Sequence, residues 1–438
     1  MTGTQDFDYD VLGIGLGPFG LGMAALIDPL VRSGEITAAF LDRRAGFSWH
    51  PGMMLDEATL QVPFIADLVT FADPTSRYSF LNFLKDTGRI YRFYIRESFY
   101  PFRPEYSEYA RWVAAQLDHV HWSSPVTSVH REPGGGWRVE IAGDRPESVT
   151  ARVVVNATGT IPRVPAGFTR GGTTPTGMIH SSEFLDHVGE IRSAGSVTIV
   201  GSGQSAAEIY RHLMEGRAAE GRELNWLSRS PRFFPMEYAG LSLELTSPDY
   251  IHRLRGLSEA RRDDLLDEQR VLYKGISRDL VDDIYDTLYR LSITTPLPGL
   301  LRPDVTVRLA PEETGEDESG RLCLELVDNE TGVSTRLTSD IVILATGYSA
   351  PNCPEHLAGV EEINRDSSGR MAVAEDFSVT DEGDLFVLNA EEHLHGINAP
   401  DLGMGPWRNS VIINRIAGRE VYRAESSTVF QSFGGAPQ

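Results

Sequence analysis

Cysteine is almost absent from this 438-residue chain. Cys323 and Cys353 are the only two, and they are 30 residues apart. No C-x-x-C exists, so a disulfide framework, a structural zinc site and the redox pair of a disulfide reductase are all excluded. Long apolar runs are missing as well: no stretch reaches 18 residues, and the N-terminus shows no basic patch followed by an apolar core. Neither membrane spanning nor secretion is expected, and the protein is read as cytoplasmic. Positive charge is scarce, with 40 basic against 62 acidic residues and a net charge of −22. Such a field repels nucleic acid and anionic lipid. No G-x-S-x-G or H-E-x-x-H occurs, which removes the common hydrolytic nucleophile and metal arrangements. His393 and His395 form H-x-H without a third ligand at useful spacing, so no metal site is expected.

Glycine, by contrast, is placed with purpose. Gly13 to Gly20 follow the apolar lead Val11-Leu12 and open into a helix-forming run. Gly15, Gly17 and Gly20 make G-x-G-x-x-G, the turn that lets backbone approach a pyrophosphate at a helix N-terminus; Pro18 and Phe19 begin the helix. A second copy starts after Val197–Val200, where Gly201, Gly203 and Ala206 fit the G-x-G-x-x-A variant and Gln204 and Ser205 open the helix. Each copy has a strand end 27 residues after its first motif glycine. In the first this is Asp42, suited to accept from a ribose hydroxyl; in the second it is Ser228, followed by Arg229, suited to a 2′-phosphate. The first site reads as FAD and the second as NADPH. Both copies also end a later strand in Ala-Thr-Gly, at Ala157–Gly159 and at Ala345, Thr346 and Gly347, the latter followed by Tyr348. The separations are 142 residues from Gly15 to Ala157 and 144 from Gly201 to Ala345, so the chain holds two homologous units.

The fold expected is therefore α/β, with two Rossmann-like dinucleotide-binding domains. Residues 1–185 and 335–438 form a discontinuous FAD domain and 186–334 an NADPH domain. Residues 236–300 depart from the repeat and read as a helical insertion that caps a substrate cavity or makes an oligomer contact. The segment 47–68 is too apolar for a solvated linker and is expected to cover the first nucleotide site. Helices are expected at 76–87, 104–118 and 258–274, and strands at 305–310, 321–328 and 334–338 around an acidic loop, Glu312 to Glu318. With both cofactors, electrons leave the flavin for a disulfide, a carrier or oxygen. The cysteines exclude the first, and no iron–sulfur or haem pattern supports the second. A flavin monooxygenase remains, working on a small molecule and O2.

The motifs also carry a resemblance. GIGLGPF at 13–19, FSWHPGM at 47–53, LQVPFIADLVT at 60–70, DPTSRYSFLNFL at 73–84, YIRESFYP at 94–101, GSGQSAAE at 201–208 and ATGY at 345–348 resemble the flavin-dependent N-hydroxylating monooxygenases of hydroxamate siderophore biosynthesis, nearly end to end. The resemblance implies amine oxygenation through a C4a-hydroperoxyflavin with no catalytic protein nucleophile, in a soluble homo-oligomer, dimer or tetramer. It implies cofactor contacts from Trp49, His50, Gln61, Gly159, Gln204 and Arg229, and places residues 400–403, with Pro400, Leu402 and Gly403 foremost, along the isoalloxazine. It also exposes departures. Amino-acid hydroxylases of the family carry a lysine for the substrate α-carboxylate where this chain has Ala66; an asparagine and a serine of theirs fall on Leu272 and Gly403. A buried carboxylate without its cation costs roughly 3–5 kcal/mol, so the substrate expected is a primary diamine such as cadaverine, putrescine or diaminopropane. The alternatives are lysine or ornithine on the same scaffold, and an NADPH-flavin electron donor or sensor. Glu237, Glu244 and Asp249 are the candidate partners for the distal ammonium, with Glu244 carried forward.

Overall fold

The computed structural model of the chain describes residues 6–143, 147–311 and 320–434. The acidic loop Glu312 to Glu318 lies outside them.

Two parallel sheets organise the molecule. In the first, Tyr9–Ile14 lies between Ala38–Leu41 and Glu147–Asn156, parallel to both, and Val120–His121 extends the sheet beyond Ala38–Leu41. The ten-residue strand Glu147–Asn156 serves two neighbours on its other side. Its first half pairs antiparallel with Trp137–Ile141, which leads on to Val126–Arg131; its last residues pair parallel with Leu385–Val387, close to the C-terminus. The chain thus returns to the first unit as expected. Tyr9–Ile14 and Ala38–Leu41 are almost wholly apolar because both faces of the sheet are covered. Pro18–Arg32 lies against Met404–Ala417, and being covered on several sides it is apolar nearly all round, from Leu21 to Ile27.

The second sheet is parallel throughout, in the order Leu301–Arg302, Glu223–Leu227, Ser196–Val200, Ile341–Leu344, Met178–His180. Two of these strands lie outside 186–334, so the boundaries expected at 185 and 335 are displaced: the second unit recruits Met178–His180 and Ile341–Leu344. The reason is register. Ile341–Leu344 must pair with Ser196–Val200 for its Ala-Thr-Gly end to reach the second glycine turn, as Glu147–Asn156 does for the first. A three-stranded antiparallel sheet, Val305–Leu309, Leu322–Asp328 and Ser334–Ser339, completes the unit.

The segment expected over the first nucleotide site is shared. Met53, Leu55 and Ala58 pack into the core of the second unit with Phe184 and Ile191, while Leu60 and Leu68 belong to the first. A Cβ on Gly52 would lie 1.8 Å from the Ser182 carbonyl oxygen, so the units meet backbone to backbone there. The insertion forms helices Gly240–Leu243, Pro248–Arg255, Glu259–Tyr273 and Arg278–Thr294. Among the described residues no helix is long and apolar enough to cross a membrane.

Candidate active site

Each glycine turn is shaped by the Ala-Thr-Gly segment beside it. Gly15 has φ +96°, and a Cβ there would sit 2.6 Å from the Ala157 carbonyl oxygen; Gly201 has φ +149°, and its Cβ would sit 2.2 Å from that of Ala345. Only glycine fits either place. Gly13 backs onto the Phe40 ring, and Gly17 and Gly159 have nothing within 4 Å of an added Cβ, so their backbone faces open space. The helices that follow, Pro18–Arg32 and Gln204–Glu220, begin at Gly17 and Gly203 with no side-chain cap and no acidic residue in the first turn. Their free N–H groups and positive dipole ends are left for an anion.

Around the first turn, Asp42 is buried at the end of Ala38–Leu41. Its Oδ2 accepts from the Leu16 amide at 2.7 Å, and Arg44 Nε donates to Oδ1 at 3.1 Å. The Arg44 amide also donates to Oδ1 at 2.8 Å and Arg44 Nη2 to Oδ2 at 3.2 Å, so the carboxylate braces the turn with all its acceptor positions engaged, and a ribose hydroxyl would have to displace an Arg44 contact. Around the second turn, Ser228 is buried and its Oγ accepts from the Ser230 amide at 3.0 Å, which uses one acceptor position of the hydroxyl and leaves its donor unused by that bond. Arg229 is exposed. Ser230 Oγ meets Ser202 Oγ at 3.0 Å. That pair was missed in the sequence, because serines in G-S-G and after S-R look like ordinary turn residues.

Between the cradles stands a group of rings. The His50 ring, whose residue has φ +49°, lies 4.9 Å from that of Tyr348, with Nδ1 3.2 Å from Tyr348 Oη, and Trp49 contacts both His50 and Tyr106. His180 flanks Tyr348 at 5.4 Å on another side, and its Nε2 is 3.1 Å from the Gly347 carbonyl oxygen. Ser205, Ala345 and Thr346 are half-buried near this seam, with Thr346 Oγ1 donating to the Arg163 carbonyl. Three buried polar atoms here have no partner: Gln61 Nε2, Tyr106 Oη and Asn409 Oδ1. Tyr106 and Asn409 line one small cavity with Pro18, Phe19 and Leu402. Buried polar groups are nearly always paired, so orphaned donors and an acceptor beside an open glycine turn suit a polar heterocycle such as a flavin. The helical spacing of Tyr106 with Tyr109 and Val113 marks a core face; Tyr106 is buried, but its hydroxyl has no partner and the residue lines this cavity.

The third part of the site concerns the amine. A Cβ on Gly403 would lie 3.1 Å from Asp401 Oδ1, 3.4 Å from Phe71 Cε2 and 3.7 Å from Ala66 Cβ. Ala66, Gly403 and Asp401 therefore share one spot. Asp401 Oδ1 accepts from the Met404 amide at 3.2 Å, at the start of helix Met404–Ala417; burial pushes its carboxyl above the usual range. The other candidates are elsewhere. Glu244 must be corrected: Oε1 accepts from the Phe430 amide and Oε2 from that of Gln431, both at 2.9 Å, so both its oxygens hold the C-terminal tail. Asp249 likewise holds Thr428 through its amide and hydroxyl. Glu237 is exposed and accepts from the Ala239 amide. Leu272 is half-buried, and its carbonyl accepts from the Glu237 amide at 3.2 Å. Pro400 is exposed, whereas Leu402 packs against the first core.

The L-lysine 6-monooxygenase/L-ornithine 5-monooxygenase family model matches residues 8–350. The chain belongs to this family. The putrescine N-hydroxylase of Shewanella oneidensis is 40% identical over 431 residues, 97% of this chain and 84% of that protein. That of Acinetobacter baumannii is 41% identical over 428 residues, 97% and 93% of the two chains. Among solved structures, the FAD-bound cadaverine monooxygenase of desferrioxamine biosynthesis from Erwinia amylovora superposes with a TM-score of 0.93 at 38% identity, covering 99% of this chain and 100% of the other.

Two features of this N-hydroxylating monooxygenase carry expectations of their own. The tail is strapped across the insertion: besides Glu244 and Asp249, Gln431 Nε2 donates to the Leu241 carbonyl, Phe433 packs on Tyr250 with ring centroids 5.0 Å apart, and Trp407 Nε1 donates to the Glu425 carbonyl. The double substitution Glu244→Gln/Asp249→Asn removes the two carboxylates that fasten it. Tryptic cleavage after the exposed Arg423 should then become severalfold faster, measured by intact mass over time, with FAD content unchanged.

His50 supplies the second expectation. Burial, with Arg103 and Arg44 nearby, pushes its imidazole down to about 4 from 6.5. The unfolded chain therefore binds a proton between about 6.5 and 4 that the folded chain does not. The contribution of a neutral His50 is complete above the unfolded value and is lost as the pH falls toward 4, a loss of about 1–2 kcal/mol after allowance for partial exposure. His50→Gln should flatten the fall in Tm between pH 6.5 and 4.5 relative to the parent, measured by thermal unfolding at each pH.

Proposed function

We propose that this monooxygenase N-hydroxylates one end of a short primary alkyldiamine, cadaverine, putrescine or diaminopropane, using FAD, NADPH and O2, in the assembly of a hydroxamate siderophore. The observation that carries this reading is the carboxylate of Asp401 beside Ala66 and Gly403, where the resemblance expects a lysine for an amino-acid substrate. An ammonium about 4 Å from a carboxylate gains roughly 4 kcal/mol at an effective dielectric of 20; a substrate carboxylate in the same place would lose as much. The names of the relatives in Shewanella oneidensis, Acinetobacter baumannii and Erwinia amylovora support the same substrate class.

FAD would be held by the first glycine turn, which Asp42 braces, and by Gln61, with Tyr106 and Asn409 offering further polar atoms; NADPH would be held by the second turn, Gln204 and Arg229. Bound FAD, once reduced by NADPH, supplies the activated oxygen. The chain's own work is binding and positioning. Asp401 holds the distal ammonium and so orients the other end. The reacting nitrogen must be the free amine, since an alkylammonium has no lone pair, and the apolar walls at Ala66, Phe71 and Leu402 favour the neutral form. No side chain acts as nucleophile. Exposed apolar side chains on Ile90–Ile95 (Tyr91, Tyr94, Ile95) and on Arg278–Thr294 (Tyr285, Tyr289, Ile293) fit burial between subunits of a homo-oligomer. We assign the enzyme to the cytoplasm, where NADPH is supplied.

Hydroxylamine formed per O2 consumed, compared for the three diamines, lysine and ornithine, tests the reading. A diamine should be preferred in kcat/KM by about 100-fold or more, the equivalent of roughly 3 kcal/mol. Preference for either amino acid contradicts it.

A further inference from the structure

Arg103 stands at the start of helix Arg103–Ala114 in the first unit, and Glu208 one turn into helix Gln204–Glu220 in the second. Their side chains meet as a fork: Nη1 reaches Oε2 and Nη2 reaches Oε1, both at 2.9 Å, with Glu208 only 6% exposed. Arg103 Nη1 also lies 3.4 Å from the carbonyl oxygen of Met53, within the segment that packs into the second core. The pair therefore crosses the seam between the units beside Gly52, where backbone meets backbone.

Glu208 has a second duty. Its Oε1 accepts from Gln204 Nε2 at 2.9 Å, and Gln204 Oε1 accepts from the Ser277 amide at 2.8 Å. Gln204 is the first residue of the uncapped helix after the second glycine turn. Both ends of its amide are thus fixed, one through Glu208 to Arg103 of the first unit and one to the insertion. Arg103 belongs to no motif, and although Glu208 closes the GSGQSAAE segment, nothing local marks its partner 105 residues away.

We propose that Arg103 and Glu208 are positioning residues for the nicotinamide cofactor: they couple the flavin-binding unit to the second glycine turn by fixing the Gln204 amide. This rests on the reading of that turn as the NADPH site. A buried bidentate pair of this kind adds little to stability compared with an apolar pair of similar size, yet it sets geometry. Burial pushes the Glu208 carboxyl up, and Arg103 and the Gln204 amide oppose that shift, as expected of a carboxylate held in the seam by these two groups.

The test uses the FAD-loaded, full-length enzyme and NADP+ as the probe, titrated through the flavin absorbance change or by calorimetry. NADP+ binding by the parent tests the assignment of the second turn, and the variants test the coupling. Arg103→Met/Glu208→Leu replaces both charges by apolar groups and leaves no unpaired ion. The expected result is an unchanged FAD content and a Kd for NADP+ raised about tenfold. Gln204→Ala alone should also raise Kd; combined with the double substitution, it should add less than twofold beyond the larger single effect, because the pair acts through the same amide. A Kd within twofold of the parent in Arg103→Met/Glu208→Leu, or full additivity with Gln204→Ala, overturns the proposal. If the double variant fails to load FAD, Glu208→Gln takes its place. It keeps an acceptor for Gln204 but weakens the fork, and is expected to raise Kd about threefold; no rise overturns the proposal equally.

Discussion

Asp401→Asn is expected to lower kcat/KM for cadaverine by about 100-fold, chiefly through KM. Asparagine has the same shape and can still accept from the Met404 amide, so the start of helix Met404–Ala417 is preserved and only the charge is lost. Removing one member of a fully buried ion pair costs roughly 3–5 kcal/mol. Asp401 is half-buried, which points to the lower end, about 3 kcal/mol or a factor of 100. NADPH oxidation without amine and the affinity for NADP+ should stay at parent values, which separates an ammonium contact from general damage to the loop. Steady-state oxygen uptake and hydroxylamine assays over a range of cadaverine concentrations give the numbers. An unchanged KM would remove Asp401 from the substrate site.

Gly201→Ala should sever the enzyme from NADPH while leaving it yellow. Its φ of +149° is strained for any side chain, and the new methyl group would sit 2.2 Å from the Ala345 carbonyl oxygen. Glycine turn and Ala-Thr-Gly segment must move apart, and a displacement of about 1 Å at a cofactor's reacting end costs on the order of 100-fold. Flavin reduction by NADPH in anaerobic stopped flow should slow by about that factor. FAD content and reduction by dithionite should not change, because the first turn and its partner Ala157 belong to the other sheet. Loss of FAD from this variant would show that the two cradles are not independent.

Much of this architecture was legible in the sequence because it rests on local rules. A motif glycine at positive φ followed by an uncapped helix, and a strand ending in Ala-Thr-Gly, recur at nearly the same spacing, and the two close contacts, Gly15 on Ala157 and Gly201 on Ala345, explain why the pieces repeat together. The domain boundaries were less legible. Met178–His180 and Ile341–Leu344 are short, and their sheet is chosen by pairing partners far along the chain. Site residues divide in the same way. Gln61, expected from its segment to contact the flavin, has an unpartnered buried amide nitrogen. Asp401 lies in the stretch 400–403 expected along the isoalloxazine but was not counted among the partners for the ammonium, since an aspartate three residues before a helix start reads first as a cap. Glu244 was misplaced because an acidic side chain in the insertion carries no mark of what it faces. Its partners, the amides of Phe430 and Gln431, lie almost 190 residues on, and no periodicity announces a tail that folds back.

The central claim is that a carboxylate occupies the place where amino-acid hydroxylases present a cation. A crystal structure of the enzyme with FAD, NADP+ and cadaverine examines it most directly. The account predicts one nitrogen of cadaverine within hydrogen-bonding distance of Asp401 and the other directed at the flavin. A bound diamine with both nitrogens remote from Asp401 would contradict it.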